Sequence, residues 1–252
     1  MIRFIKNIPG HLFFIYSMLL FVITMLVVFI PIWLISILPE PKRAKALHIA
    51  FQCWMGTYLT LTFSPVFRKG KEHFKKGKTY IVVINHNSLA DIPVSSPWIP
   101  RPNKTLAKIE MSRIPLFGII YKAGSILLDR KDGGSRRESF SKMQETLDLG
   151  INLCLYPEGT RNKTGKPMQP FFDGAFITAI RAQKPVMPAL IFNTGKIMPH
   201  NKVAWMRPMP VYFHFLEPIE TEGLTLDDVV GLKEKVHKLM ETYYISHLKN
   251  KA

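Results

Sequence analysis

The chain has 252 residues, which suffice for one α/β domain plus an additional element, and its hydrophobic content of 47% supports a real core. Its two cysteines, Cys53 and Cys154, lie far apart in apolar surroundings, which excludes a disulfide framework and predicts buried thiols in a reducing compartment. The net charge of +16 predicts attraction to a polyanion, either anionic lipid headgroups or nucleic acid.

The first predicted element is a membrane segment. Residues 12–38 carry no charge and would form a helix of about 40 Å, against a hydrocarbon thickness of about 30 Å. The stretch is too long for a removable signal peptide, and no small-residue cleavage site follows it before Glu40. Pro31 is expected to kink or break the helix, and the apolar residues 47–67 then form a companion. Residues 1–67 are therefore predicted to anchor the chain, as a spanning helix or as a two-helix hairpin in one leaflet.

Basic residues follow this anchor directly, at positions 68–71 and 75–78. They either dock on anionic lipid or form solvated turns, since Gly70 and Gly77 are turn residues. The domain that follows is predicted to lie on the cytoplasmic face of the membrane, because basic residues follow the anchor closely, including Lys42, Arg43 and Lys45. In a bacterium this would be the inner membrane.

Beyond the anchor, short apolar runs alternate with helical patterns, which is typical of an α/β fold. Four runs read as strands, namely residues 80–84, 125–128, 151–155 and 186–192. Pro188 in the last run indicates an edge or irregular strand, because proline cannot donate a ladder hydrogen bond. We predict a mixed, largely parallel sheet flanked by helices over residues 68–252.

Two helices have clear start signals. Ser135 with Glu138 forms a capping box for the first, which Gly150 terminates. Thr225 with Asp228 opens the last helix. That helix carries an apolar stripe expected to pack on the core, made of Val229, Leu232, Val236, Leu239 and Met240.

Charged side chains follow the predicted strands where each strand ends. His86 and Asp91 come after the first run, and Glu158 and Arg161 come after the third. Ligands of open α/β sheets bind outside the carboxyl ends of the strands, so His86 and Glu158 are expected to share one site. A histidine near a carboxylate suits a general base held in one tautomer, although short-spaced pairs also occur as turn or cap hydrogen bonds. Glu158 alone is equally compatible with a carboxylate at a helix start.

Taken in order, these motifs resemble the glycerolipid acyltransferase family, whose type activity is 1-acylglycerol-3-phosphate acyltransferase. The resemblance covers residues of about 80 to 195 and is carried by residues 85–91, 108–130, 156–161, 174–176 and 186–188. Tyr156 stands where phenylalanine is common, and Phe172 and Asp173 precede Gly174 where the family often has lysine. Neither departure is expected to touch the chemistry, although Asp173 would reduce positive charge near a phosphate.

The resemblance implies direct acyl transfer, in which His86, oriented by Asp91, deprotonates the acceptor hydroxyl without an acyl-enzyme. The chain has no Gly-x-Ser-x-Gly nucleophile elbow. The implied substrate-binding residues, which would hold the phosphate and the glycerol backbone, are Lys108, Arg130, Glu158, Gly159, Thr160 and Arg161.

The same resemblance implies lysophosphatidate as acceptor and acyl-CoA or acyl carrier protein as donor, with no cofactor. The remaining histidines lack metal-ligand spacing and no nucleic-acid-binding module is recognised, so we expect no metal and no nucleic acid. The apolar residues 111–121 are expected to pack in the core or to line an acyl channel. Two rival functions stay open at this point. One is a sibling acyltransferase acting on another lysolipid or on glycerol 3-phosphate, and the other is a non-catalytic, membrane-tethered binder of anionic lipid or nucleic acid.

Overall fold

A computed structural model describes residues 8–129 and 131–249. Its centre is a seven-stranded sheet in the order β1-β7-β6-β2-β5-β3-β4. The strands are β1 (Val66–Lys69), β2 (Ile81–Ile84), β3 (Asn103–Lys108), β4 (Ser125–Leu128), β5 (Asn152–Leu155), β6 (Val186–Phe192) and β7 (Val211–Phe215). Neighbouring strands are parallel except β6 and β7, which are antiparallel. The predicted mixed, largely parallel sheet is confirmed.

Helices cover both faces of the sheet. The α-helices are α1 (Ile8–Ser36), α2 (Lys42–Leu61), α3 (Ile92–Trp98), α4 (Phe117–Ala123), α5 (Gly133–Asp148), α6 (Gly174–Ala182), α7 (Thr194–Ile197) and α8 (Val229–Lys249). Short 3-10 helices occupy Lys71–His73, Leu89–Asp91, Ile109–Arg113 and Leu226–Asp228.

The alternation of side chains along each strand divides the core into two layers. In β2, Val82 and Ile84 pack into the layer that contains α1 and α2, whereas Ile81 and Val83 pack into the layer that contains α5, α6 and α8. A strand buried on both faces reads as a continuous apolar run, which is why β2 was visible in the sequence.

The two N-terminal helices pack against each other as a hairpin. Trp54 Nε1 donates to Thr24 Oγ1 across the pair at 3.0 Å. At the turn, Glu40 Oε1 lies 2.7 Å from Lys104 Nζ, which ties the hairpin to β3. The helix continues through Pro31 to its end, so proline does not break it. By length and composition, α1 is the one described helix able to span a bilayer. Of its most apolar 18-residue stretch, 11% is buried in the protein.

The expectation that Pro188 marks an edge strand is wrong, whereas the alternative of an irregular strand agrees with the interrupted pairing beside it. The proline lies in β6, between β2 and β7, in a strand buried along its whole length. Its carbonyl accepts from Leu216 N at 2.9 Å, one residue beyond the end of β7. The ladder between β6 and β7 ends at Ala189 and Phe215, and pairing resumes at Val186 and Ile219 with its register shifted by one residue. The proline therefore lies at an interruption of the ladder, where its missing N–H is tolerated.

The predicted capping box at Ser135 and Glu138 is also wrong. The helix α5 begins earlier, because the Asp132 carboxylate accepts from the N–H groups of Gly134 at 2.9 Å and Ser135 at 2.8 Å. Ser135 Oγ accepts instead from Asp129 N at 2.9 Å. The aspartate wins because its two oxygens satisfy two helix N–H groups at once.

The start of the last helix is as predicted. Thr225 and Asp228 form a capping box around the 3-10 turn that leads into α8. Four residues of the predicted stripe are buried, but Leu239 is 39% exposed and lies at the edge of the contact face.

Some apolar side chains expected inside the protein are exposed. Cys53 on α2 is exposed, whereas Cys154 in β5 is buried. Within residues 111–121, Ile120 is buried in the core and Phe117 packs against it, whereas the side chains of Ile114, Leu116 and Ile119 are exposed, so only part of this stretch is core. It folds as a short 3-10 helix and α4 on the outside of the sheet, which apolar composition alone does not reveal.

Candidate active site

Parallel pairing of β2 and β5 brings the two main motifs to one edge of the sheet. Val83 pairs with Leu155, so both strands end at the same level. His86 lies just beyond the end of β2, and Glu158 lies just beyond the end of β5. The two residues meet there: Glu158 Oε1 accepts from His86 N at 2.8 Å. The predicted proximity of His86 and Glu158 is confirmed.

The histidine ring is held by a buried aspartate. His86 Nδ1 lies 2.8 Å from Asp91 Oδ2, and the same oxygen accepts from the backbone N–H groups of Asn87 at 2.7 Å and Ser88 at 2.8 Å. The Asp91 side chain is fully buried, while that of His86 is 16% exposed. An N–H on Nδ1 directed at this carboxylate leaves Nε2 as the ring nitrogen that can accept a proton. The short 3-10 helix Leu89–Asp91 makes this possible by turning Asp91 back toward His86.

Glu158 is buried and is bonded by backbone N–H groups through both of its oxygens. Oε1 accepts from His86 N, and Oε2 accepts from Gln169 N at 3.0 Å. Burial raises the pKa of Glu158, and the two backbone hydrogen bonds partly oppose that rise. In the described structure no helix starts at Glu158, so the alternative of a helix-start carboxylate does not apply. The side chain holds the loop after β5 against the end of β2.

A second hydrogen bond joins the loop after β5 to the carbonyl side of the His86 peptide. Asn162 N donates to His86 O at 2.6 Å, so the N–H and the C=O of His86 are both bonded to the loop after β5. Arg161 precedes Asn162 directly and is half-buried. The backbone at Arg161 is therefore held near His86 by the bond from Asn162 N and by the Glu158 carboxylate.

Tyr156 is a part of the site that the sequence interpretation dismissed. Its ring stacks on the His86 imidazole, with centroids 4.3 Å apart and an interplanar angle of 28°. Its hydroxyl donates to Ser95 Oγ on α3 at 2.8 Å. Burial raises the pKa of Tyr156 well above its usual value, so the hydroxyl stays protonated. An aromatic residue directly after β5, the strand beside β2, was the available signal.

Asn85 is a second residue whose role was missed. Its amide donates to Ile191 O at 3.0 Å and accepts from Ile191 N at 2.7 Å. The side chain thereby extends the ladder between β2 and β6 by one rung, immediately before His86. A buried amide at a strand end with both of its polar groups paired fixes where the strand stops.

The glycine of the second motif is required by its surroundings. Gly159 has φ +66°, and a Cβ there would come within 2.7 Å of the Phe172 ring. Thr160 beside it is exposed. The close neighbour of Gly159 in this structure is thus an aromatic ring of the same loop.

Lys108 lies farther along the same edge. Lys108 is exposed at the end of β3. Because β5 lies between β3 and β2, the strands β3 and β2 are about 10 Å apart. Arg130 lies outside the described residues. Within residues 8–129 and 131–249, no group of three or more His, Cys, Asp or Glu side chains is arranged to hold a metal ion.

A groove of about 780 Å³ lies at the opposite edge of the sheet. Its lining includes Lys69 and Phe215, the last residues of β1 and β7. Because β7 runs antiparallel to β6, these strand ends are remote from His86. The groove is therefore separate from the candidate active site.

Comparison with known proteins agrees with this geometry. A family model described as Acyltransferase matches residues 66–192. The chain is 33% identical over 178 residues to the 1-acyl-sn-glycerol-3-phosphate acyltransferase alpha of Mus musculus. The aligned residues make up 70% of this chain and 62% of the mouse protein, so the chain spans less than two thirds of that relative. It is 30% identical over 192 residues to the 1-acyl-sn-glycerol-3-phosphate acyltransferase of Haemophilus influenzae, covering 75% of this chain and 78% of that protein.

The fold has a solved counterpart. The crystal structure of the 1-acyl-sn-glycerophosphate (LPA) acyltransferase from Thermotoga maritima superposes with a TM-score of 0.75 at 24% identity, over 98% of both chains. The matched residues include β2 with the His86–Asp91 pair that follows it, and β5 with the Glu158 loop that follows it. This chain belongs to the acyltransferase family.

Proposed function

We propose that the chain transfers an acyl group from an acyl thioester to the sn-2 hydroxyl of 1-acylglycerol 3-phosphate and so produces phosphatidate. The observation that carries this proposal is the His86 ring held by the buried Asp91 carboxylate, with the Arg161 loop clamped to the His86 peptide. A base and a phosphate-binding cation at one sheet edge suit a phosphorylated acceptor with a free hydroxyl. The names of the mouse and Haemophilus influenzae relatives support the same acceptor.

The base acts directly on the acceptor. His86 Nε2 takes the hydroxyl proton while the oxygen attacks the thioester carbonyl, so a C–O bond forms and the C–S bond breaks. The proton passes from the imidazolium to the departing thiolate. Asp91 stabilises the imidazolium and keeps the ring in the tautomer that exposes Nε2.

An acyl-enzyme is not part of the proposal, because the nearby nucleophiles are otherwise engaged. Cys154 is buried in β5, and burial raises its pKa to about 12, so it does not form a thiolate at neutral pH. Ser88 Oγ donates to Met198 O at 2.9 Å and accepts from Ala90 N, which directs it away from the imidazole.

The substrate-binding proposal retains all six predicted residues. Arg161 contacts two phosphate oxygens through its planar guanidinium, with Lys108 and Arg130 as further cations. Thr160 offers a hydroxyl at the exposed side of the loop. Gly159 and Glu158 shape that loop, and Glu158 serves substrate binding by holding it in place, since both of its oxygens bind backbone N–H groups.

We further propose that residues 1–67 attach the domain formed by residues 68–252 to the cytoplasmic face of a membrane, the inner membrane in a bacterium. The support is α1, whose outward side chains are apolar along its length, and the charge of +16, which favours anionic lipid. The acyl donor is acyl-CoA or acyl carrier protein. The proposal needs no cofactor, no metal and no nucleic acid.

The deciding experiment is phosphatidate formation by the solubilised wild type and by His86→Ala, with 1-acylglycerol 3-phosphate and either acyl-CoA or acyl carrier protein thioester. His73→Ala, at the opposite edge of the sheet, is the matched control. Product from the wild type and the control, and none from His86→Ala, establishes the reaction, the base and the donor together.

No product from folded wild type with either donor would refute lysophosphatidate as acceptor. A panel of lysolipids and glycerol 3-phosphate then tests a sibling acyltransferase. Inactivity on the whole panel, with retained binding to anionic vesicles or DNA, would mean a non-catalytic binder.

A further inference from the structure

The loop between β6 and β7 connects the start of the anchor helix to the turn that carries His86. Met206 N donates to Gly10 O at 3.0 Å, and His11 Nδ1 lies 2.9 Å from Ala204 O. At its other end, Met198 O accepts from Ser88 Oγ at 2.9 Å. The segment 199–207, called the 199–207 loop below, is thus fixed at the catalytic end of the sheet beside the first turn of α1.

The contact between this loop and α1 is close. The Trp205 indole occupies the space that a side chain at position 10 would need, so only glycine fits there. Lys202 Nζ lies 3.8 Å from the centre of the Trp205 ring. Trp205 therefore has one side against the helix start and a lysine over its ring, an arrangement suited to the boundary between water and lipid.

The loop presents one apolar side chain among cations. Val203 at its tip is 87% exposed, the highest value among the large apolar side chains of the described residues. Lys196, His200 and Arg207, which are close to Val203 in sequence, are also exposed. Residues 193–216 contain no aspartate or glutamate. An isolated exposed valine needs no explanation, but one in a segment that carries basic residues and no acidic ones, bonded to the start of an apolar anchor, does.

We propose that the 199–207 loop is a second membrane contact, in which Val203 enters the boundary between headgroups and acyl chains while Lys202 and Arg207 bind anionic headgroups. The proposal rests on the membrane attachment put forward above and adds a site that α1 alone does not supply. It places the His86 turn at the lipid surface, because Ser88 and Met198 join that turn to the loop.

A lipid surface fits this loop better than a protein partner. The surface is continuous with α1, on which Ile8 and Leu12 are exposed close to the bonded residues Gly10 and His11. The charge complements anionic headgroups, and each basic residue near such a surface adds roughly fivefold to binding. An acidic carrier protein would complement the charge but leave the exposed apolar residues of α1 and Val203 uncovered.

The test attaches a polarity-sensitive fluorophore to single cysteines in the full-length chain, after Cys53→Ser removes the exposed native thiol. Val203→Cys reports on the loop, and Leu26→Cys reports on α1. Val230→Cys is the matched control, since it is 56% exposed on α8, which packs on the other face of the sheet. Each protein is reconstituted in phosphatidylcholine vesicles with or without phosphatidylglycerol, and with brominated lipids as quenchers.

The expected result is blue-shifted, bromine-quenched emission at positions 26 and 203, and unshifted emission at position 230. Replacing Lys202 and Arg207 by glutamine should reduce the equilibrium constant for docking of position 203 on anionic vesicles about fivefold for each residue, measured as the ratio of docked to undocked emission. The same two replacements at Lys235 and Lys238 of α8 should leave it unchanged.

Three outcomes would overturn the proposal. Emission at 203 that matches 230, while 26 is quenched, would limit membrane contact to α1. A response at 203 to added acyl carrier protein but not to lipid would make the loop a protein-docking site. No quenching at 26 would remove the membrane attachment and the loop contact with it. The readout is independent of turnover, so the phosphatidate assay is judged separately.

Discussion

The carboxylate of Glu158 binds the peptide N–H of His86 at 2.8 Å, from the neighbouring strand end. With Asn162 N on the carbonyl of His86, it makes the histidine peptide and the loop after β5 one rigid unit. The proposed base and the proposed phosphate cation Arg161 thus share one support. A change in that support is expected to affect proton transfer and acceptor binding together.

Replacing Glu158 by glutamine tests this support. The Glu158 carboxylate accepts from both His86 N and Gln169 N. A glutamine amide has only one oxygen, so its NH₂ group would face one of these two N–H groups and leave that buried N–H without an acceptor. We expect the free energy of unfolding to fall by about 1–3 kcal/mol, together with a lower kcat. Denaturant unfolding and steady-state kinetics measure the two effects. Wild-type stability in Glu158→Gln would show that the clamp is not needed.

The pH dependence of Glu158 has a definite sign. Burial raises its folded-state pKa above 4.5, so the folded protein holds this proton more tightly than the unfolded chain does. The stability that Glu158 contributes is therefore complete below pH 4.5 and declines as pH rises through the folded pKa. We expect the wild type minus Glu158→Gln difference in unfolding free energy to shrink over that window. A difference that grows with pH would mean a lowered pKa.

Asp91→Asn isolates the orientation of the histidine. The oxygen that Asp91 shares among His86, Asn87 and Ser88 loses its charge, and the tautomer with the proton on Nδ1 loses its preference. We expect kcat to fall by roughly 10²–10⁴ with little change in KM. The exposed Asp227→Asn is the matched control. Unaltered kcat in Asp91→Asn would exclude Asp91 from the mechanism.

Tyr156 allows ring stacking to be separated from hydrogen bonding. Tyr156→Phe keeps the ring on His86 but loses the bond to Ser95 Oγ, which should cost about 1 kcal/mol of stability and little activity. Tyr156→Leu removes the flat surface and should lower kcat further than the phenylalanine variant does. Equal kcat values for the two variants would show that stacking does not position the imidazole.

Arg161→Lys tests the phosphate contact. Lysine keeps the charge but cannot bind two phosphate oxygens in a fixed fork, so KM for the phosphorylated acceptor should rise about tenfold. Lys163→Arg, an exposed change in the same loop, is the control. With monoacylglycerol, which has no phosphate, the wild type and Arg161→Lys should have the same KM for the acceptor. An unchanged KM for the phosphorylated acceptor would remove Arg161 from the phosphate role.

Several features of the fold were readable from local patterns. The runs at β2, β5 and β6 were visible because strands buried on both faces are continuously apolar. The run at β4 was visible from its apolar residues, although this edge strand is only partly buried. The capping box at Thr225 and Asp228 was visible because its partners are three residues apart. Two predictions that depend on tertiary context were wrong. Asp132 rather than Ser135 caps α5, and Pro188 lies in an interior strand rather than at an edge.

The sequence by itself determined the strand ends, the order of the polar motifs along the chain and the apolar anchor, because each depends on residues close in the chain. Tertiary structure decided that Glu158 binds backbone N–H groups, that Tyr156 stacks on His86, and that Trp205 lies against Gly10. Those contacts join residues far apart in sequence. They follow from the pairing of β2 with β5 and β6 and from the packing of α1, which no local pattern encodes.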